Sequence, residues 1–177
     1  MYVMLGYFDT GPLVRLVCSR VQNPLERDRK IGQKVDGLLT GASSTFALSE
    51  YTLLELQSNV ATMCRGDGIN KPPFDIQWGR AAMREVMTLL GSGGPLQVIP
   101  PPGNVAERAM ALVESATREY GLALRAWDAV HIITAANWGI DNGEAVRLYT
   151  TDRDFTRFIG RFRQFGDYVS VIYLDDS

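Results

Sequence analysis

Tyr2-Val3-Met4-Leu5-Gly6-Tyr7-Phe8-Asp9-Thr10 is the stretch that decides the fold. The apolar run Tyr2 to Phe8 reads as a buried strand. An acid follows it at once. Thr10 is then placed to cap a helix, with Pro12 in the first turn. The stretch lacks a basic leader, so it reads as a strand and not as a signal peptide. Runs of the same kind recur at Thr45–Leu48, Leu96–Ile99 and Val146–Tyr149, and a fifth lies at Val169–Leu174.

Helical patterns separate these runs. They cover about Leu25–Leu38, Ser49–Cys64, Ile76–Leu90, Asn104–Tyr120 and Arg125–Trp138, and a last helix begins near Asp152. In the third helix of the chain Leu53, Leu56, Val60 and Cys64 share one face. Gly66–Phe74, with Lys71-Pro72-Pro73, reads as a loop. Gly91–Pro95 and Pro100–Gly103 bracket a short strand and so punctuate the domain without dividing it. Strands alternating with helices imply βαβ units. The expectation is an α/β fold: one domain over residues 1–177, with a central, mainly parallel sheet of about five strands flanked by helices.

The chain has 177 residues, 46% of them hydrophobic and 21% charged, which is the composition of a globular domain and not of a disordered chain. It carries 18 Lys plus Arg against 20 Asp plus Glu, a net charge of −2. Bulk charge therefore does not advertise nucleic-acid binding, and any attraction to phosphate must come from a local patch or from bound metal. Cys18 and Cys64 give neither a metal spacing nor a disulfide framework and read as buried apolar residues. No uncharged run approaches the about 20 residues that span a bilayer, which argues against a membrane partner. A reducing, cytoplasmic location is the expectation.

In an open α/β sheet, ligands bind beyond the carboxyl ends of the strands. Asp9 and Asp152 both follow strand-like runs and fall at that edge. Glu55 lies on the helix after the second strand, and Asp128 in the opening turn of the helix before the fourth. Four acids from four parts of the chain can thus meet on one rim. Like charges brought together raise one another's pKa, and a divalent cation removes the repulsion. All-oxygen ligands suit Mg²⁺ or Mn²⁺ better than zinc. Such an ion lowers the pKa of a bound water and steadies charge on a phosphate.

At these residues the sequence resembles the PIN-domain ribonucleases. Tyr7-Phe8-Asp9-Thr10 resembles the family's opening strand motif, and Ser49 with Glu55 six residues on resembles the second. Trp127-Asp128-Ala129-Val130-His131 with Ala135-Ala136 resembles the third, and Tyr149-Thr150-Thr151-Asp152-Arg153-Asp154-Phe155 the fourth. The order and spacing fit across nearly the whole chain. The resemblance implies a PIN-like parallel-sheet fold and a Mg²⁺- or Mn²⁺-dependent endoribonuclease. Asp9 and Asp128 would be direct ligands, and Asp152 and Glu55 would complete the site. The substrate would be RNA. In many small members the role is a VapC-like toxin, which implies an antitoxin protein as partner; the family also admits a homodimer. This chain is longer than a compact VapC-like toxin, mostly around Gly66–Gly103.

Other roles compete at each position. Asp9 can cap the first helix, although Thr10 is the better-placed cap. Asp128 can be a solvated acid facing the helix dipole. Periodicity does not choose between Glu50 and Glu55; the family spacing chooses Glu55. Asp152 and Asp154 compete for the fourth position. Thr151 with Asp154 resembles a capping box and leaves Asp152 for metal, and the reverse leaves Asp152 as the cap. Capping is also the expected role of Thr10, Ser49 and Thr151. His131, the only histidine, is expected to be a hydrogen-bonded structural residue. Arg153, Arg157 and Arg161, spaced four apart opposite Phe155, Phe158, Ile159 and Phe162, form either a solvated face or a stripe contacting RNA phosphates. Two further function classes stay open: a catalytically silent PIN-like scaffold that binds RNA or protein, and a metal-dependent phosphohydrolase acting on DNA or small phosphoesters.

Overall fold

The computed structural model describes residues 4–21, 25–41, 44–65, 75–159 and 168–175. The start of the first expected strand, the loop expected at Gly66–Phe74, and Arg161 lie outside the described residues. Five strands form one sheet: β1 (Met4–Phe8), β2 (Ser44–Ser49), β3 (Leu96–Ile99), β4 (Val146–Thr150) and β5 (Val169–Tyr173). Seven helices are described around them: α1 (Thr10–Arg20), α2 (Glu26–Leu39), α3 (Glu50–Arg65), α4 (Ile76–Leu90), α5 (Val105–Tyr120), α6 (Ala126–Asn142) and α7 (Asp154–Ile159). The strand order is β3-β2-β1-β4-β5, and each described pair is parallel, so the sheet is wholly and not merely mainly parallel.

The order places the site. From β1 the chain steps outward through β2 to β3, then crosses back to pair β4 on the other side of β1. The reversal leaves a crevice beyond the carboxyl ends of β1 and β4, where loops from neighbouring strands diverge. Register brings the two ends level: Phe8 lies opposite Tyr149, one residue before Asp9 and one before Thr150 respectively.

Alternation along β1 divides the core into two layers. Leu5 and Tyr7 pack with α5, α6 and the inner residues of β4. Phe8 packs on the other face among residues of α1 to α4, its ring stacked on Phe46 and Tyr149 with centroids 5.4 and 5.1 Å away. Burial of side chains of this size stabilises the fold by about 1.5–3 kcal/mol each. Helix α6 is buried along one unbroken stretch from Asp128 to Ala136. Its small residues Ala129, Ala135 and Ala136 let it lie close between α5 and the sheet. That placement carries Asp128 and His131 inward. The helix runs one turn beyond Trp138, to Asn142, and stops at Gly143, whose φ of 64° is open to glycine at little cost. Cys18 is buried as expected, whereas Cys64 is only half-buried; both thiols are free.

Candidate metal and phosphate cleft

Asp9, Glu55, Asp128 and Asp152 all line one cleft of about 390 Å³ at the strand ends. Asp9 leaves β1 in extended backbone and is itself the N-cap of α1: its Oδ1 accepts from Gly11 N at 2.8 Å. Its Oδ2 accepts from Thr150 Oγ1 at 2.5 Å. Thr10, expected as the cap, instead lies inside the helix, where its hydroxyl donates to Glu55 Oε2 at 2.5 Å. An acid already filling the cap releases the threonine to point across to α3. Ser49 does cap α3 as expected, its Oγ accepting from Thr52 N at 3.0 Å.

Glycine at position 11 gives the Thr151 side chain its room. A Cβ there would stand 2.2 Å from Thr151 Oγ1. Gly11 thus lets the loop bearing Asp152 settle against the loop bearing Asp9.

Asp152 has two tasks. Its Oδ1 accepts from Asp154 N at 2.9 Å and caps α7, so the capping box expected from Thr151 and Asp154 gives way to this shorter turn. Its Oδ2 faces the cleft and accepts from Arg125 Nη2. Asp154 is exposed and pairs with Arg157 at 3.5 Å. Of Asp152 and Asp154, only Asp152 lines the cleft.

Asp128 is buried in the first turn of α6, where Arg125 Nε donates to its Oδ2 at 2.9 Å. Arg125 therefore bridges Asp128 and Asp152. Glu55 is half-buried and held by Thr10 and by His131 Nε2 at 3.0 Å. Glu50, by contrast, is exposed. His131 is buried, and its Nδ1 lies 3.0 Å from the Tyr7 hydroxyl, which lies 3.2 Å from Thr52 Oγ1. The histidine is the hydrogen-bonded structural residue expected, yet one that ends a chain of polar groups on a cleft carboxylate.

Charge is distributed unevenly among the four acids. Burial disfavours the His131 imidazolium, but Tyr7 and the Glu55 and Asp9 carboxylates outweigh it and hold the pKa up at about 10. Burial likewise works against the Glu55 carboxylate, and the His131 and Thr10 hydrogen bonds overcome it, lowering the pKa. Asp128 is raised, chiefly by burial, against the pull of Arg125. Asp9 goes furthest: burial pushes it up to about 6, although His131, Thr150 and Gly11 all favour its charged form. It is the acid of the four whose carboxylate has no ion pair among the described residues. A buried carboxylate bonded only to neutral donors has the most to gain from a cation.

The donor type is that of a hard divalent ion, since four carboxylates line the cleft and Asp9 forms no ion pair among the described residues. Among the described residues no three His, Cys, Asp or Glu side chains come together as a group that could hold a metal ion. Asp128 and Asp152 are instead both paired with Arg125.

Arginines share the wall. Arg15, Arg27 and Arg125 line the cleft together with the expected Arg153. Arg153 also lies over the Tyr173 ring. Arg157 is not among the lining residues, and Arg161 lies outside the described ones. Sequence reasoning passed over Arg125, although its place three residues before Asp128 on one helix was a readable pairing signal. It also passed over Arg15, Arg27 and Thr150, whose hydroxyl reaches Asp9 across the sheet while accepting locally from Asp152 N.

No family model and no curated protein matches the sequence. Eight chains of solved structures match the fold. One belongs to VapBC2 from Rickettsia felis bound to a DNA fragment from their promoter; it is 14% identical, with 95% of this chain and 98% of that chain covered and a TM-score of 0.57. Another belongs to FitAcB from Neisseria gonorrhoeae, 19% identical, with 97% and 99% covered and a TM-score of 0.52. At these identities the likeness is one of fold, and it extends over nearly the full length of each chain.

Proposed function

We propose that this protein is a PIN-type endoribonuclease dependent on Mg²⁺ or Mn²⁺, serving as the toxin of a VapBC-like toxin–antitoxin pair. The observation that carries the reading is the convergence of four carboxylates, from four separate elements, on one cleft at the switch point of a parallel sheet. The motif order in the sequence and a fold shared with VapBC2 support the same reading, and support a protein antitoxin as partner.

In this reading Asp9 and Asp128 hold the ion, and Asp152 and Glu55 complete its surroundings. The ion, when bound, lowers the pKa of a water and offsets charge growing on the phosphate. The chain's own residues supply the rest. Thr150 and Gly11 fix both Asp9 oxygens, so the carboxylate is oriented before any ligand arrives. His131 keeps Glu55 ionised and immobile. Arg125, Arg27 and Arg153 give the wall of the cleft donors for phosphate oxygens, in a chain whose net charge would otherwise repel them.

A panel of single-stranded RNA, structured RNA, DNA and a small phosphoester, each with Mn²⁺ and with chelator, tests the proposal. Metal-dependent cleavage of RNA is expected. Cleavage of DNA or the phosphoester in preference would replace the substrate assignment. RNA binding with no cleavage of any substrate would make the protein a silent scaffold.

A further inference from the structure

A second cleft, of about 670 Å³, lies beside the first. Its wall is α2, which presents Arg27, Lys30 and Lys34, and its far side is the end of β5 at Leu174 and Asp175. Arg27 lines both clefts. The two are therefore neighbours with one arginine at their junction.

The three cations are spaced three and four residues apart, so they share one face of α2. Seven residues of helix separate the first from the last, a rise of about 10 Å. The row is thus longer than any single phosphate needs, and it suits an extended polyanion. Among the described residues its cations make contacts that a phosphate can replace. Arg27 pairs with Asp175, Lys30 with the exposed Glu26 at 3.3 Å, and Lys34 donates to the Leu174 carbonyl at 2.8 Å. The Lys30–Glu26 pair is exposed on both sides and contributes about 1 kcal/mol or less, whereas Asp175 is mostly buried beside Arg27. The row also runs against a chain charge of −2, so it is not a by-product of a basic composition. The stripe read in the sequence at Arg153, Arg157 and Arg161 differs: of its two described residues Arg153 reaches the cleft, and Arg157 faces Asp154.

We propose that α2 is the track along which single-stranded RNA runs from the acidic cleft, its phosphates held by Arg27, Lys30 and Lys34. The inference rests on the nuclease reading and adds to it the path of the substrate. It makes the enzyme prefer RNA long enough to fill both clefts, and it makes affinity depend on residues remote from the acids.

The test compares wild type with Lys30→Gln/Lys34→Gln, using a fluorescent twelve-nucleotide oligouridylate in chelator over a range of salt. Two lost phosphate contacts should weaken binding roughly tenfold or more at 0.1 M salt, and flatten the salt slope by about 1.4. Mn²⁺ binding by the variant should stay at the wild-type level, which shows that fold and acidic cleft are intact. Equal affinity and equal slope in the two proteins would overturn the track while leaving RNA cleavage by wild type untouched. Wild type that neither binds the oligonucleotide nor cleaves any RNA would overturn both readings together.

Discussion

Two depressions meet at Trp127 and are built from opposite materials. One is the acidic cleft, about 390 Å³, with four carboxylates and four arginines on its wall. The other, about 1010 Å³, is an apolar groove between α5 and α6 lined by residues such as Tyr51, Met110, Val113 and Val130. The larger depression carries no convergent chemistry, and the smaller carries all of it. Size and apolarity make a groove attractive to any nonpolar surface. Hydrolysis of a phosphodiester needs charge gathered at one point, and buried groups whose pKa values are displaced mark that point. Asp9 at about 6 and His131 at about 10 both lie on the cleft side of the boundary.

The contrast is sharpest at Asp9. In wild type, a divalent ion at a hundredfold excess over its dissociation constant should add about 2.7 kcal/mol of stability. Asp9→Asn should lose most of this, as read by thermal unfolding with Mn²⁺ and with chelator. A full metal response in the variant would remove Asp9 from the ligand set. The metal-free proteins should differ in a second way. Folded Asp9 holds its proton up to about 6, above the ordinary 3.8. Its contribution to stability is therefore complete below the unfolded value and is lost as pH rises through 6. Asn carries no such penalty, so stability relative to wild type should shift in favour of Asp9→Asn between pH 4 and 7.

Gly11→Ala comes next. The added methyl meets Thr151 Oγ1, and overpacking of this kind costs about 1–3 kcal/mol. Chemical denaturation should show that loss, and the displaced Asp152 loop should weaken Mn²⁺ binding in the same variant. Unchanged stability and metal binding would mean that the two loops are not in firm contact.

These positions also show how far the sequence could be read. The apolar runs marked the described strand ends to within a residue or two, most clearly for β1, β2 and β4, since a buried parallel strand must be apolar on both faces. The end of α6 was missed by a turn, although Gly143 was there to mark it. Asp9, Asp128 and Asp152 stood out because each follows a strand or opens a helix, whereas Glu55 was singled out by the family spacing alone. Their mutual bonding was not legible. Whether Asp9 or Thr10 caps α1 depends on Glu55, 45 residues on. Asp152 is tied to Arg125 across 27 residues. No local pattern encodes such a pair.

Arg125 sets a smaller effect of opposite sign. Its side chain is 66% exposed and pairs with both Asp128 and Asp152. An ion must displace it, so Arg125→Ala should bind Mn²⁺ more tightly, by up to about fivefold given the strength of exposed pairs. Titration calorimetry would show this, and weaker binding would mean that Arg125 organises the acids instead of competing for them. The smallest effect belongs to the other side of Trp127. Met110 is 74% exposed on the apolar groove. Met110→Ser should leave cleavage rate and Mn²⁺ affinity at wild-type values and change stability by about 0.5 kcal/mol or less. A clear loss of cleavage in that variant would tie the groove to the chemistry and end the division between the two.

The most direct measurement is metal-dependent cleavage of single-stranded RNA by wild type and Asp128→Asn, with circular dichroism to verify folding. The amide keeps the shape of the side chain and removes the charge that would hold a hard cation. Cleavage by the variant should fall by orders of magnitude while its fold is retained. A folded Asp128→Asn protein that cleaves RNA at the wild-type rate would contradict the account.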